Sequence, residues 1–434
     1  VSRFAKLLGL IALGALAIRW AYAIHIRDYL VQGDAMTFHL VGQRIADGLG
    51  FTEHVPPGGP TAEHPPGLFV FWAILDRIGA NGYLTHRMAL GLVGVGTVVL
   101  IGLLARRIGG DRLGLVAAAL AAVYPMLWTA EGSLMSEGLY GFFLVASLLA
   151  AMRVRERPSW GRSAALGALI GLAALTRGEG LALIVLLAVP VAVASRPSWR
   201  ERAAVWGVTL AALVAVLAPW TIFNLTRFDE PVLISTNSNG VFIGANCEDT
   251  YYGDLIGAWR FQCYTEREPG EDEAEFFLRQ REIGLEYAFD HADRWPVVVL
   301  ARLGRLLDVY RFDQSVFFNS AEGRPAEWAA RAIRVYWVVG LLAIVGAVLL
   351  ARRRAFGLVV LLAPIAMVVL VAIVTYGGTR FRYGAEPSLV VLAAVTLLAA
   401  GERVAAAWRA RAVSRAGRPR PARAASPPAP PRRA

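Results

Sequence analysis

The feature that most constrains this chain is a repetition. Apolar runs, mostly of about 17–22 residues, the length needed to cross a hydrocarbon core, return ten times along it. They fall at 7–24, 87–105, 113–130, 134–152, 163–176, 180–195, 203–223, 332–351, 356–375 and 384–401. With 56% hydrophobic residues over 434 positions and a mean hydropathy of +0.50, the chain is too apolar for a water-soluble enzyme. The expected fold is mainly α, a polytopic membrane protein of about ten transmembrane helices.

Charge between the runs predicts their direction. If the shorter apolar segment PPGLFVFWAIL at 65–75 lies along the surface, six basic groups fall on one side. These are Arg3/Lys6, Arg106/Arg107/Arg112, Arg153/Arg155/Arg157/Arg162, Arg196/Arg200/Arg202, Arg352/Arg353/Arg354 and the C-terminal tail. That side then holds 24 basic residues against 6 in the short segments opposite, which makes it cytoplasmic and places both termini there. If 65–75 crossed, every later Arg cluster would be outside. The first run ends in Ala21-Tyr22-Ala23, which resembles a signal-peptidase site, but so many spans follow that an uncleaved first helix is the expectation.

The chain therefore divides into an N-terminal transmembrane module at 1–224 with a first outer loop at 25–86, an extracytoplasmic domain at 225–331, C-terminal transmembrane helices at 332–402 and a basic tail at 403–434. The tail carries nine Arg and no acid and is Pro- and Ala-rich, so it is expected to be disordered against anionic lipid headgroups, with no nucleic-acid partner. The 225–331 segment holds 19 acidic and 11 basic residues and helix-like stretches such as EAEFFLRQREIGLEYAF at 273–289. Its Cys247 and Cys263 are the only cysteines, in a compartment where disulfides persist. Pairing them would contribute about 3 kcal/mol in the chain-entropy account, and two free thiols are the alternative.

Polar chemistry concentrates at the outer turns. In GDAMTFHLVGQRIADGLG at 33–50, Phe38, Val41, Ile45 and Leu49 recur at helical spacing, which predicts an amphipathic interfacial helix behind Asp34. An Asp in that place also serves as an N-cap, and the two roles do not exclude each other. Further on come Glu63-His64, and four of the six histidines, His25, His39, His54 and His64, lie within forty residues. Carboxylates mixed with His can hold a divalent ion, although no tight ligand spacing is present, and solvated loop residues are the competing reading. Later turns hold Glu131 and Glu137, then Arg177 and Glu179, then Arg380 and Arg382; these Arg read either as functional groups or as snorkelling anchors.

Five motifs in order give a resemblance: Asp34 soon after the first span, Glu63-His64-Pro65-Pro66 before the second, LTRGEG at 175–180, PWTIFN at 219–224 and RFRYGAEP at 380–387. Together they resemble the GT-C glycosyltransferases, closest to the family 39 or dolichyl-phosphate-mannose protein mannosyltransferase-like group that includes the bacterial aminoarabinose transferases. The resemblance implies an inverting transfer of a sugar from a polyprenyl-phosphate donor to an acceptor hydroxyl on the extracytoplasmic face of the cytoplasmic membrane. It implies Asp34 as general base, because a phosphate leaves as an anion and needs no acid. Arg177 and Arg382, with Arg44 or Arg380 as alternates, would hold the donor phosphate. Glu63, His64 and Glu137 would orient the acceptor or a metal, so a divalent ion is a possible cofactor and none is certain. Partners are then the lipid-linked donor, a glycan, lipid or protein acceptor, and membrane lipids. The Asn/Gly-rich stretch LISTNSNGVFIGAN at 233–246 resembles a sugar-contacting loop of such enzymes, or else is a plain turn-rich connection.

Two readings from other classes compete: a lipid or glycan flippase, and an inactive assembly subunit of the same fold. Against the first, no pair of broken spans repeats in two halves.

Overall fold

The computed structural model describes residues 2–55 and 58–416; residues 417–434 of the basic tail lie outside this range. Nineteen α-helices follow one another through them: α1 (Arg3–His25), α2 (Asp34–Ala46), α3 (Gly67–Arg77), α4 (Tyr83–Val123), α5 (Pro125–Gly132), α6 (Glu137–Glu156), α7 (Trp160–Ala174), α8 (Leu183–Leu186), α9 (Ala188–Ser195), α10 (Trp199–Leu225), α11 (Asn237–Ala245), α12 (Glu248–Tyr251), α13 (Glu273–Asp290), α14 (Trp295–Leu306), α15 (Phe312–Ala321), α16 (Ala326–Arg352), α17 (Gly357–Val374), α18 (Thr379–Arg382) and α19 (Glu386–Ala416). Among the described residues no strand forms; one isolated antiparallel bridge joins Thr52 to Pro60.

Eight helical segments are long and apolar enough to cross a membrane. One of them, α4, is two helices folded on each other at Gly109 and Gly110, whose backbone leaves the helical region and, at Gly110, takes φ 84°. The arms touch where Gly114 meets Gly102: a Cβ on Gly114 would come within 2.7 Å of the Gly102 carbonyl oxygen. With the second arm of this hairpin and the 15-residue α7 included, each of the ten expected apolar runs is largely helical, although the run at 113–130 breaks at Tyr124 between α4 and α5. The segment at 65–75 lies in α3, only 11 residues, about 16 Å long and far short of a bilayer.

The Arg-rich turns gather at one end of the bundle. Arg107 pairs with Glu156, Arg196 donates to the Pro158 carbonyl, Arg155 lies over Phe356 and Ile108 packs on Gly357. The opposite end carries α2 and α3, whose apolar faces close on each other through Phe38, Phe69 and Trp72. Gly42 permits that approach, since a Cβ there would stand 2.7 Å from the Trp72 Cβ. A polar latch fixes the pair to α4: His86 stacks on Trp72 at 4.2 Å, its Nε2 meets Asp76 Oδ1 at 2.9 Å, and its Nδ1 meets His39 Nδ1 at 3.2 Å.

Between α10 and α16 the chain forms α11 to α15. The stretch 233–246, expected as a sugar-contacting loop or a plain turn-rich connection, is helical over Asn237–Ala245, and Gly240 and Gly244 let this helix seat against Phe277 and Trp259. Cys247 and Cys263 form a disulfide that ties the start of α12 to the loop carrying Trp259, Phe261 and Tyr264. This segment leans directly on the spans: Arg302 of α14 donates to the Ile373 carbonyl at the end of α17, and Trp337 of α16 donates to the Leu307 carbonyl.

Candidate functional site

Four elements distant in sequence bring charged side chains together at the α2 end. Asp34 is the first residue of α2, and the cap is Gly33, whose φ of 57° suits glycine. The Asp34 carboxylate makes no capping bond, so the N-cap reading is corrected: its Oδ2 instead accepts from Arg380 Nη1 at 2.8 Å. Arg380 Nε reaches Glu137 Oε1 at 3.2 Å, and Arg177 Nη1 donates to that same oxygen at 2.9 Å. Arg177 Nε donates to Glu179 at 2.5 Å. The result is a continuous chain, Asp34–Arg380–Glu137–Arg177–Glu179, with Glu322 at 3.9 Å from Arg380 as a side branch.

Charge balance sets the protonation of this chain. Burial would raise the Asp34 pKa, but Arg380, His64 and Arg177 overcome it and bring it down to about 2, so the carboxylate is ionised. Burial lowers the pKa of both Arg177 and Arg380, and their carboxylate neighbours more than restore it, so both stay charged. Glu63 goes the other way: burial first, then the charges of Asp34, Glu273 and Glu53, push it up to about 8. Burial also raises the Glu322 pKa and lowers that of His64.

Glu63 and His64 sit beside this chain. His64 Nε2 is buried without a hydrogen-bond partner and lies 3.8 Å from Asp34 Oδ1 and 3.8 Å from Glu63 Oε1. An orphaned imidazole nitrogen flanked by two carboxylates has the chemistry of a divalent-cation donor set, but the three groups are not drawn together tightly enough to share one ion as they stand. Among the described residues, the group whose ligand atoms are close enough to share an ion is Asp229, Asp272 and Glu275, and there Asp272 and Glu275 already cap α13 reciprocally.

A cavity of about 950 Å³ opens over the chain. The charged residues Asp34, Glu63, Glu322 and Arg380 line it, together with the aromatic residues Trp259, Tyr264, Phe276, Phe277 and Tyr376. Its size and its mostly apolar wall with a few convergent polar groups suit a sugar-sized or larger ligand.

The structure thus brings together Asp34, Glu63, His64, Glu137, Arg177 and Arg380 of the expected residues. It does not bring Arg382 or Arg44 to the cavity. Arg382 is buried in a separate network, donating to Asp308 at 2.6 Å and Glu386 at 2.8 Å beneath Tyr336, and Arg44 donates to Thr52 Oγ1 at 2.8 Å. Glu131, in the last turn of α5, is consumed by Arg19 at 2.6 Å. Sequence reasoning missed Glu322, Trp259 and Tyr376, which carry no motif and reach the cavity only through folding; Glu179, named beside Arg177 in the LTRGEG turn, was given no role there and ends the charged chain.

Residues 63–223, a little over a third of the chain, match the family model described as dolichyl-phosphate-mannose-protein mannosyltransferase. Comparison with curated proteins finds no match. Among solved structures, the chain is similar to the archaeal oligosaccharyltransferase AglB from Archaeoglobus fulgidus in complex with an inhibitory peptide and a dolichol-phosphate. That match has 15% identity and a TM-score of 0.55, and covers 95% of this chain and 52% of that one. The oligosaccharyltransferase of the same organism, tethered to an acceptor peptide containing the NVT sequon, gives 16%, 0.56, 92% and 50%. ArnT from Cupriavidus metallidurans bound to undecaprenyl phosphate matches with 17% identity and a TM-score of 0.41, covering 91% of this chain and 77% of that one. The chain spans about half the length of the oligosaccharyltransferases it matches. Its fold is that of the GT-C membrane glycosyltransferases, and it is a multi-pass membrane protein.

Proposed function

We propose that the chain is an inverting glycosyltransferase that moves a sugar from a polyprenyl-phosphate donor to an acceptor hydroxyl on the extracytoplasmic face of the membrane. The observation that carries this reading is the pairing of Asp34 with Arg380 at the floor of the cavity, a base and a phosphate-binding cation held 2.8 Å apart. The face follows from the Arg-rich turns gathered at the far end, which the positive-inside rule assigns to the cytoplasm.

The acceptor oxygen attacks the anomeric carbon, the carbon–oxygen bond to phosphate breaks, and the hydroxyl proton passes to Asp34 while polyprenyl phosphate leaves as an anion. Arg380, backed by Arg177 through Glu137, supplies positive charge where that anion develops. Donor phosphate on Arg380 also competes with Asp34 for the guanidinium, and so raises the basicity of the carboxylate once donor is bound. Asp34, Glu63 and His64 are the residues that would hold a divalent cation, which when bound supplies further charge for phosphate oxygens.

The test is release of polyprenyl phosphate from a panel of polyprenyl-phosphate sugars by the purified protein with crude envelope acceptor. The native chain should release it and Asp34→Asn, folded and inserted, should not. No release with any donor by folded native protein would overturn the reading in favour of transport or scaffolding.

A further inference from the structure

The stretch that joins α13 to α15 inverts the usual surface pattern. From Trp295 to Tyr310 every exposed residue is apolar: Trp295, Pro296, Val297, Leu300, Leu307 and Val309. Leu300 and Val309 are 70% and 66% exposed. The charged residues of the same stretch, Arg302, Arg305 and Asp308, are all buried. Arg302 donates to the Ile373 and Ala245 carbonyls, Arg305 to the Ile256 carbonyl, and Asp308 accepts from Arg382. Val297, Leu300 and Leu307 recur at spacings of three and seven, which sets them in one stripe along and just past α14. A helix facing water shows the opposite arrangement, and a contiguous exposed apolar patch marks an interaction surface.

The depth of this stripe says what covers it. The Leu307 carbonyl accepts from Trp337, which stands 11 residues, about 16 Å, inside the end of α16. It lies beyond the last charged residue of that end, Arg334, and the surface of α16 is apolar from there on, with Val335, Val338, Leu341 and Ile344 exposed. Phe312 packs on the same tryptophan at 5.6 Å. Past Arg311 and the Arg334 guanidinium that lies over Phe312, the stripe continues into the band that faces hydrocarbon, at the level where interfacial Trp residues sit.

The geometry points to Trp295–Tyr310 as a membrane-binding surface: α14 and the turn after it lie in the boundary between headgroups and acyl chains of the leaflet at the Asp34 end, and the partner is the lipid itself. A zwitterionic bilayer suffices, because no exposed charge lies within Trp295–Tyr310 itself. The inner side of α14 places Arg305 in the cavity wall, and Arg302 packs against Gly377, so the bilayer holds one wall of the site in position. The inference does not depend on the transferase reading.

Spin labels on Leu300→Cys and Val309→Cys test it in phosphatidylcholine nanodiscs, with Glu282→Cys on the exposed side of α13 as the aqueous reference; the native cysteines are paired and do not react. Oxygen partitions into acyl chains and a nickel chelate into water. The ratio of oxygen to nickel accessibility should be severalfold higher at 300 and 309 than at 282. Equal ratios at all three positions would overturn the proposal. So would shielding from both reagents at 300 and 309, which would assign the stripe to a second copy of the chain or another protein. Val297→Cys and Leu307→Cys give the same reading should either first label disturb the fold.

Discussion

Arg380 and Asp34 are 346 positions apart in the chain and 2.8 Å apart in space. This one contact joins the turn before the last span to the helix after the first, and it sets the ionisation of the carboxylate. Removing the cation by Arg380→Gln should therefore move the Asp34 pKa upward from about 2 toward its ordinary value of 3.8. The acid limb of polyprenyl phosphate release, measured as kcat/KM against pH, should shift to higher pH in the variant. The plateau rate should fall by about 10²–10³, the usual loss when one transition-state charge partner is removed. An unmoved acid limb would mean that the titrating group is not Asp34.

The same pairing makes a stability statement with a definite sign. Asp34 has a lowered pKa in the folded protein, so its contribution is present above pH 3.8 and is lost as pH falls from there through about 2. Thermal melting in detergent should show a steeper loss between pH 4 and pH 2 for the native chain than for Asp34→Asn.

The spans, the amphipathic helix behind Asp34 and the three polar turns were legible because they rest on local signals: apolar length, helical spacing and charge between runs. The partnerships were not. Arg380 and Arg382 stand two residues apart in one motif, and in the short helix α18 that spacing sends them about 200° apart around the axis. One meets Asp34 and the other enters the core beside Asp308, a division that no linear reading of RFR reveals. Glu322 and Trp259 enter the cavity from a segment whose own periodicity says only that it is helical and aromatic.

The Arg19–Glu131 pair, 1% exposed on both sides, joins α1 to α5 against Gly94 of α4. Removing one partner of such a pair strands a buried charge, which costs about 3–5 kcal/mol, whereas replacing both with apolar residues of similar volume is often nearly neutral. Arg19→Met should therefore lower the melting temperature strongly, and Arg19→Met with Glu131→Leu should recover most of it. Gly94→Ala should destabilise as well, because its Cβ would meet Glu131 Oε2 at 2.1 Å.

Reduction of the Cys247–Cys263 disulfide releases the loop that carries Trp259, Phe261 and Tyr264 over the cavity. Closing a loop of this size stabilises by about 3 kcal/mol in the chain-entropy account. Hydrogen exchange after reduction should rise over residues 247–265 and stay unchanged in α2. On the proposed reading the KM for acceptor should rise more than that for donor, since Arg380, the proposed donor cation, is held by Asp34 and Glu137 and not by this loop. Equal protection before and after reduction would show that packing of Trp259 on Gly244 suffices to hold the loop.

Glu63 offers the sharpest test of the proposed cation site. Its pKa is raised to about 8 because burial and the neighbouring charges of Asp34, Glu273 and Glu53 all oppose ionisation. Between its ordinary value of 4.5 and about 8 the folded state holds the proton more tightly than the unfolded state, so stability falls as pH rises through that window and levels off above it. Glu63→Gln removes the titration, and its melting temperature should gain on that of the native chain between pH 5 and pH 9. A divalent ion seated by Asp34, Glu63 and His64 would reverse the native penalty, since the ion favours the charged carboxylate. Manganese or zinc should then raise the native melting temperature at pH 8 and leave Glu63→Gln and His64→Ala little changed. Equal stabilisation of all three proteins would place the ion elsewhere, with Asp229, Asp272 and Glu275 the next group to vary.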